Sequence, residues 1–199
     1  LTEVGVTFTD NLEPYEETKI RILNGGHTSV AYLGVLSGYQ TFDQVMNDTA
    51  HRNHFKKLQK EEIIPSIGMD LPFDVSDYVD TIEERLSSES NRDELERICM
   101  DGFTKFHTFI VPSLRNCLEQ GKKPIHTYRS IAGWYLYARR FSRGCKRIRY
   151  NENPNPGTIG FTYKFVDEFV DEFVDEFVDE FVEEFVDEFL NKFVDKFVD

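Results

Sequence analysis

A mainly α-helical domain carrying an acidic, low-complexity tail, helical or disordered, is the fold class that this sequence predicts. Three observations predict it. Apolar residues recur at i, i+3, i+4 and i+7 through most of the first 140 positions, as in Tyr32, Val35, Leu36 and Tyr39. Capping residues, glycines and prolines divide that stretch into pieces of helical length. From Phe165 onward the chain repeats Phe-Val-Asp-Glu with small variations to its end. The chain has 199 residues, enough for one domain with a real core.

Taken in order, residues 1–10 alternate loosely (Val4, Val6 and Phe8 against Glu3, Thr7 and Thr9), which suits a short strand or an extended lead-in. Asn11 to Pro14 is a helix start, with Glu13, Glu16 and Glu17 placed favourably for the helix dipole. The periodicity then predicts helix from Tyr15 to about Tyr39, with an irregularity at Gly25-Gly26. Thr41-Phe42-Asp43-Gln44 is a capping-box pattern opening a short helix to about Met46. A further helix runs from Asp48 to Ile64, ended by Pro65 and Gly68. Ser76 caps the next, through Tyr78, Ile82 and Leu86. Asn91 or Asp93 opens another through Leu95, Ile98 and Cys99. Gly102 interrupts it before a helix over Phe103 to Leu118. Gly121 and Pro124 precede the last, Ile125 to about Phe141, for six or seven helices in all. The helical domain is assigned to 1–150, a Pro/Asn/Gly linker to 151–164, and the repeat tail to 165–199.

The formal net charge of −13 belongs to the tail. Residues 165–199 hold 7 Asp, 7 Glu and 2 Lys, a net of −12, and the other 22 acidic and 21 basic residues leave −1. The domain is therefore nearly neutral, and the overall acidity of the chain says nothing about the domain's partners. No stretch is apolar enough to span a bilayer, and residues 1–11 lack the basic start and apolar run of a signal peptide. Three widely spaced cysteines, Cys99, Cys117 and Cys145, suit a reducing cytoplasm better than a disulfide framework. The chain begins at Leu1, which predicts a piece of a longer protein.

One stretch carries chemistry. Lys19-Ile20-Arg21-Ile22-Leu23-Asn24-Gly25-Gly26-His27 spaces a lysine, an asparagine and a histidine as K-x4-N-x2-H. On an ideal α-helix, with Lys19 at zero, Asn24 lies at about 140° and His27 at about 80°, with Leu23 and Ile20 on the same arc. Lysine and asparagine on a partly apolar face suggest a semi-buried polar site. As a solvated lysine, a helix-interrupting Asn-Gly and a core histidine, the same residues would carry no function.

The surroundings decide between the two. Val6-Thr7-Phe8-Thr9-Asp10, Leu12-Glu13-Pro14-Tyr15 and the run from Lys19 to Gly34 resemble the C-terminal domain of the long-chain mannitol dehydrogenase family. That family comprises polyol dehydrogenases and hexuronate reductases. The likeness continues through Glu61-Glu62-Ile63-Ile64-Pro65, Tyr78 to Arg85, Met100-Asp101-Gly102-Phe103-Thr104-Lys105 and Ile131-Ala132-Gly133-Trp134-Tyr135. It covers about residues 1–140.

The resemblance implies a multi-helix fold of the 6-phosphogluconate dehydrogenase C-terminal type. It also implies a zinc-independent oxidoreductase that interconverts a polyol and a ketose, or reduces a sugar acid, with NAD or NADP and no metal. Lys19 would be the general base, which must be neutral to act, a state that burial favours. Asn24 would donate to the developing alkoxide. His27 would orient substrate hydroxyls, and Arg97 and Lys105 would bind the polyol chain or a carboxylate. The family's dinucleotide-binding half, with its Gly-rich turn, has no counterpart here: there is no G-x-G-x-x-G. The isolated chain is therefore expected to be inactive.

Other features have plainer readings. His51 and His54 are expected to be surface histidines rather than metal ligands. Arg97 and Lys105 also suit solvated helix charge. The basic cluster Arg139, Arg140, Arg143, Lys146, Arg147 and Arg149 suits a solvated helix end or a dock for the acidic tail, since no nucleic-acid module accompanies it. Neither nucleic acid nor membrane is expected as a partner. The alternative to an enzyme domain is a non-catalytic helical module that self-associates through its repeat tail.

Overall fold

A computed structural model describes residues 7–71 and 73–142, the last four of these as backbone only. Residues 1–6, the side chains of the basic cluster from Arg139, Cys145, the linker and the repeat tail lie outside the described residues. Among those described there are seven helices, a short 3-10 turn at Glu89–Asn91 and no sheet, the one β-bridge being an isolated pair between Thr41 and Glu94.

Helix α1 (13–37) joins Glu13–Thr18, a π-helical turn Lys19–Gly25, and Gly26–Ser37. Helix α2 is Phe42–Asn47. Helix α3 (49–67) joins Thr49–Lys57, a π turn Leu58–Ile63, and Ile64–Ile67. Helix α4 is Val75–Ser87 and α5 is Leu95–Ile98. Helix α6 (102–119) joins Gly102–Lys105, a π turn Phe106–Ile110, and Val111–Glu119. Helix α7 is Ile125–Ser142.

The boundaries differ from expectation where backbone chemistry outweighs the side-chain pattern. Asp74, not Ser76, caps α4, because its Oδ1 accepts from the amides of Ser76 (2.8 Å) and Asp77 (3.3 Å). Helix α3 continues past Pro65 to Ile67. A proline ring clashes with the carbonyl four residues earlier, here that of Glu61, which sits in the wider π turn. The same arrangement recurs in α6, where the residue four before Pro112 is Thr108 in the π turn Phe106–Ile110. Helices α1 and α3 both end on glycines in the left-handed region, Gly38 (φ 94°) and Gly68 (φ 68°), where a side chain would be strained.

The core is built around α1. Ile22, Val30, Tyr32 and Val35 are buried with Phe42, Phe55, Leu58, Leu95, Ile98 and Phe106 from the surrounding helices. Leu33 faces a second cluster made by Val111 and Leu114 of α6 and Tyr128 and Ala132 of α7. Tyr32 packs against Phe106 (5.7 Å between centroids) and Tyr137 (5.1 Å), and its hydroxyl donates to the carbonyl of Cys99 at 3.0 Å.

Helix α7 is anchored from outside itself. Two of the amides that its N-terminus leaves unpaired, on His126 and Thr127, donate to the two oxygens of Glu62 at 2.7 Å each. Thr127 Oγ1 adds a third bond at 2.8 Å. Glu62 is buried within the π turn of α3.

His51 and His54 are not surface residues, contrary to expectation: they are 0 % and 4 % exposed. Their spacing turns both inward from α3 onto α1 and α7. His51 Nδ1 lies 2.8 Å from Asp48 Oδ1 and its Nε2 lies 3.2 Å from Ser37 Oγ. His54 meets the His126 ring edge-on at 5.4 Å. Burial, reinforced by His126, Arg129 and His51, pushes its pKa well below the ordinary 6.5. The unfolded chain therefore takes up a proton at His54 near pH 6.5 while the folded chain does not, so this contribution to stability is lost as pH falls below that value. The urea midpoint is expected to drop between pH 7.5 and 5.5, by at most about 1.4 kcal/mol of stability per pH unit from this one group. His54→Gln should flatten that slope; an equally steep slope in the variant would place the titration elsewhere.

Candidate active site

The three residues singled out by spacing all lie on α1, and the π turn changes how they relate. A π turn pairs residue i with i+5, so each residue advances by about 80° rather than 100°. Lys19 and Asn24, five apart, then lie about 40° from each other instead of about 140°. Asn24 and His27, three apart, meet where the helix resumes its ordinary pitch, a spacing that places side chains on one face. The turn thus gathers lysine, asparagine and histidine more closely than a regular helix would.

The turn is wedged open by its neighbours. Gln59, fully buried on the π turn of α3, donates from Nε2 to the carbonyl of Ile22 at 2.7 Å. A Cβ on Gly26 would stand 2.0 Å from that nitrogen and 2.9 Å from Phe55, so only glycine admits the bond. On the other side the third π turn approaches. A Cβ on Gly25 would stand 2.8 Å from the carbonyl oxygen of Phe109. Arg21, also buried, pairs with Glu17 at 2.7 Å and donates to the carbonyl of Ser66 at 3.1 Å, which fixes the back of the turn.

His27 is half-buried. Its Nδ1 lies 2.9 Å from the carbonyl of Leu23, which makes Nδ1 the protonated nitrogen and leaves Nε2 as the acceptor. Its ring lies 6.0 Å from that of Phe42. Burial chiefly lowers the histidine's pKa below 6.5; the hydrogen bond to the Leu23 carbonyl opposes it, the ammonium of Lys105 adds to the lowering, and the Asn24 backbone and Asp93 act weakly the other way. The imidazole is therefore neutral near pH 7.

Lys105 and Arg97 come from the α5–α6 corner. Asp101, at φ 54°, takes the left-handed conformation there, which aspartate tolerates better than most side chains. Lys105 Nζ donates to the carbonyl of Ile98 at 2.8 Å, closing the end of α5 and keeping two further donors. Arg97 is exposed and pairs with Asp93 at 2.6 Å. Lys105 thus lies within electrostatic reach of His27, and Arg97 is set outward beside the same corner. Lys19 is exposed rather than semi-buried, because the described residues cover only one side of α1 there.

Sequence reasoning missed three contributors. Asp93 pairs with Arg97 and acts on His27, Phe42 flanks the imidazole, and Gln59 holds the turn. Only Gly25-Gly26 signalled a close approach, without saying what approached. Among the described residues no group of three or more His, Cys, Asp or Glu is arranged to hold a metal, and no helix is long and apolar enough to cross a membrane. Cys99 and Cys117 are buried free thiols, Cys99 pushed up to about 12 by burial first, so neither is poised as a nucleophile. The described residues form no strand.

The chain is similar to known proteins. The family model for the mannitol dehydrogenase C-terminal domain matches residues 11–157. A mannitol 2-dehydrogenase of Cereibacter sphaeroides is 38% identical over 137 residues, which are 69% of this chain and 29% of that protein. Mannitol dehydrogenase DSF1 of Saccharomyces cerevisiae is 35% identical over 138 residues, 67% of this chain and 27% of that protein. The solved ternary complex of Pseudomonas fluorescens mannitol 2-dehydrogenase with NAD and D-mannitol superposes with a TM-score of 0.66 at 30% identity, covering 88% of this chain and 35% of that one. The chain spans less than a third of the length of these curated relatives.

The closeness of Lys105 to His27 has a measurable consequence. Lys105→Met should raise the His27 titration midpoint towards 6.5, followed by the imidazole resonances in NMR. An unmoved midpoint would show that the two do not share a field.

Proposed function

The chain belongs to the mannitol dehydrogenase C-terminal domain family, and from that premise we propose that it supplies the catalytic-base and substrate-binding wall of an NAD(P)-dependent polyol dehydrogenase. The observation that carries this is the π turn, which draws a lysine and an asparagine together beside a neutral histidine.

In the direction of alcohol oxidation, Lys19 takes the proton of the reacting hydroxyl, and in ketone reduction it returns it. Asn24 donates a hydrogen bond to the oxygen as its negative charge develops. His27, its Nδ1 committed to Leu23, accepts from a neighbouring hydroxyl through Nε2. Lys105, with two donors to spare, and Arg97 hold the rest of a polyol chain or the carboxylate of a sugar acid. Several vicinal hydroxyls matched by a file of donors and acceptors favour a polyol over a simple alcohol. The relatives' names point the same way, from mannitol 2-dehydrogenase to D-arabinitol 4-dehydrogenase and D-mannonate oxidoreductase.

A base lysine needs its charged form disfavoured, and the described residues leave Lys19 exposed. In this proposal the covering surface comes from the dinucleotide-binding part of the enzyme, outside these 199 residues, together with the substrate. The exposed apolar side chains of Phe8 and Leu12, just before α1, fit such a contact. Each step assigned here is a proton or hydrogen-bond step at the substrate. Buried free thiols suit an enzyme of the reducing cytoplasm. The self-associating reading rests on residues 165–199, outside those described.

Two outcomes are expected. The purified chain, mixed with NAD and mannitol, forms no NADH; any polyol-dependent rise at 340 nm would refute the division of labour. A chimera in which residues 11–157 replace the matching region of the Pseudomonas fluorescens enzyme oxidises mannitol, and Lys19→Met lowers its kcat by about 10²–10⁴-fold. Retention of kcat in that variant would remove Lys19 from the chemistry.

A further inference from the structure

The π turn needs a support that its own sequence does not contain, and we infer that Gln59 is a positioning residue that holds Lys19 and Asn24 in register. This rests on the catalytic reading of the Lys19–His27 face and deepens it. Gln59 is 0 % exposed, and burial of a long amide side chain is disfavoured unless its polar atoms are used. Its Nε2 donates to the carbonyl of Ile22 at 2.7 Å, a residue in the middle of the Lys19–Gly25 turn. That carbonyl also accepts from the amide of Gly26, which is shared with the carbonyl of Leu23. The Gly26 amide thus straddles the seam where wide pitch returns to ordinary pitch, and Gln59 supplies a second donor at that seam.

Three details argue that the bond is built rather than incidental. Gly26 has no Cβ, and one placed there would stand 2.0 Å from Nε2. Gln59 itself lies on a π turn, Leu58–Ile63. Among the described residues its other polar atom, Oε1, has no partner, so there the bond to Ile22 is the one that holds the side chain. Without that donor, the helix gains by relaxing towards ordinary α-helical pitch, which would carry Asn24 from about 40° to about 140° away from Lys19. Gln59 touches neither substrate nor the reacting atoms; it acts through the backbone of Ile22.

The test uses Gln59→Met in the full chain, a swap that keeps length and approximate volume but removes the donor. Hydrogen exchange of the amides from Leu23 to His27 should quicken about tenfold, the change that loss of one buried hydrogen bond implies. Exchange in α7 should stay as it was, and the His27 titration midpoint should move. Unchanged exchange in that turn, or equal acceleration across all helices, would overturn the inference, the latter because it marks a general loss of stability. Gly26→Ala, which expels the amide from the other side, should reproduce the local effect, and failure to do so would count against the latch as well. In the chimera, Gln59→Met should lower kcat at least tenfold while KM for mannitol changes less; a change confined to KM would overturn it. These readouts separate the two ideas: an intact kcat in Lys19→Met sinks the catalytic reading whatever Gln59 does, whereas unaltered exchange in Gln59→Met sinks only the latch.

Discussion

A hydrogen bond from the Gln59 amide to the Ile22 carbonyl joins two helices at the point where both abandon regular pitch. Regular helices satisfy their own backbone and can be specified locally. A π turn has weaker local grounds for existing, so it persists where packing around it over-determines the backbone. In this domain that packing comes from Gln59 and Phe55 on one side and the carbonyl of Phe109 on the other, pressed against the adjacent Gly25 and Gly26. Everything placed on the Lys19–His27 face inherits its geometry from those contacts. The site is therefore a property of helix crossings as much as of one motif.

The charges around the site follow the same economy of parts. Lys105 closes the end of α5 through Ile98 and also adds to the burial that lowers the pKa of His27. Asp93 pairs with Arg97 and tempers that effect. Because Arg97 and Asp93 are largely open to solvent, their pairing adds little to stability. Stability is supplied instead by the aromatic packing of Phe106 on Trp134, stacked at 4.7 Å, and by the layer around Tyr32.

Much of this was legible in the sequence. The helices of α1, α4, α6 and α7 follow from apolar periodicity, and K-x4-N-x2-H picked out three residues that the structure places on α1. Exposure was harder to read. His51 and His54 look like surface residues because histidine is neither strongly apolar nor reliably polar, and only the tertiary packing of α3 decides where they point. Lys19 looked semi-buried because its neighbours on an ideal helical wheel are aliphatic, yet the turn is not ideal and the covering surface is not among the described residues. Pro65 was read as a stop because proline usually is one; the preceding wide turn removes the clash that makes it so. Gln59 gave no signal at all, since a single buried amide has no period.

Glu62 stands three residues after Gln59, and on an ordinary helix the two would share a face. The wide pitch of Leu58–Ile63 turns them about 120° apart, so that one reaches Ile22 in α1 and the other seats the first amides of α7. One six-residue segment is thus a clasp between the Lys19–Gly25 turn and α7. The two regions, far apart along the chain, are tied to that segment by separate side chains, so the bond to Ile22 can be lost while the seat of α7 on Glu62 is kept.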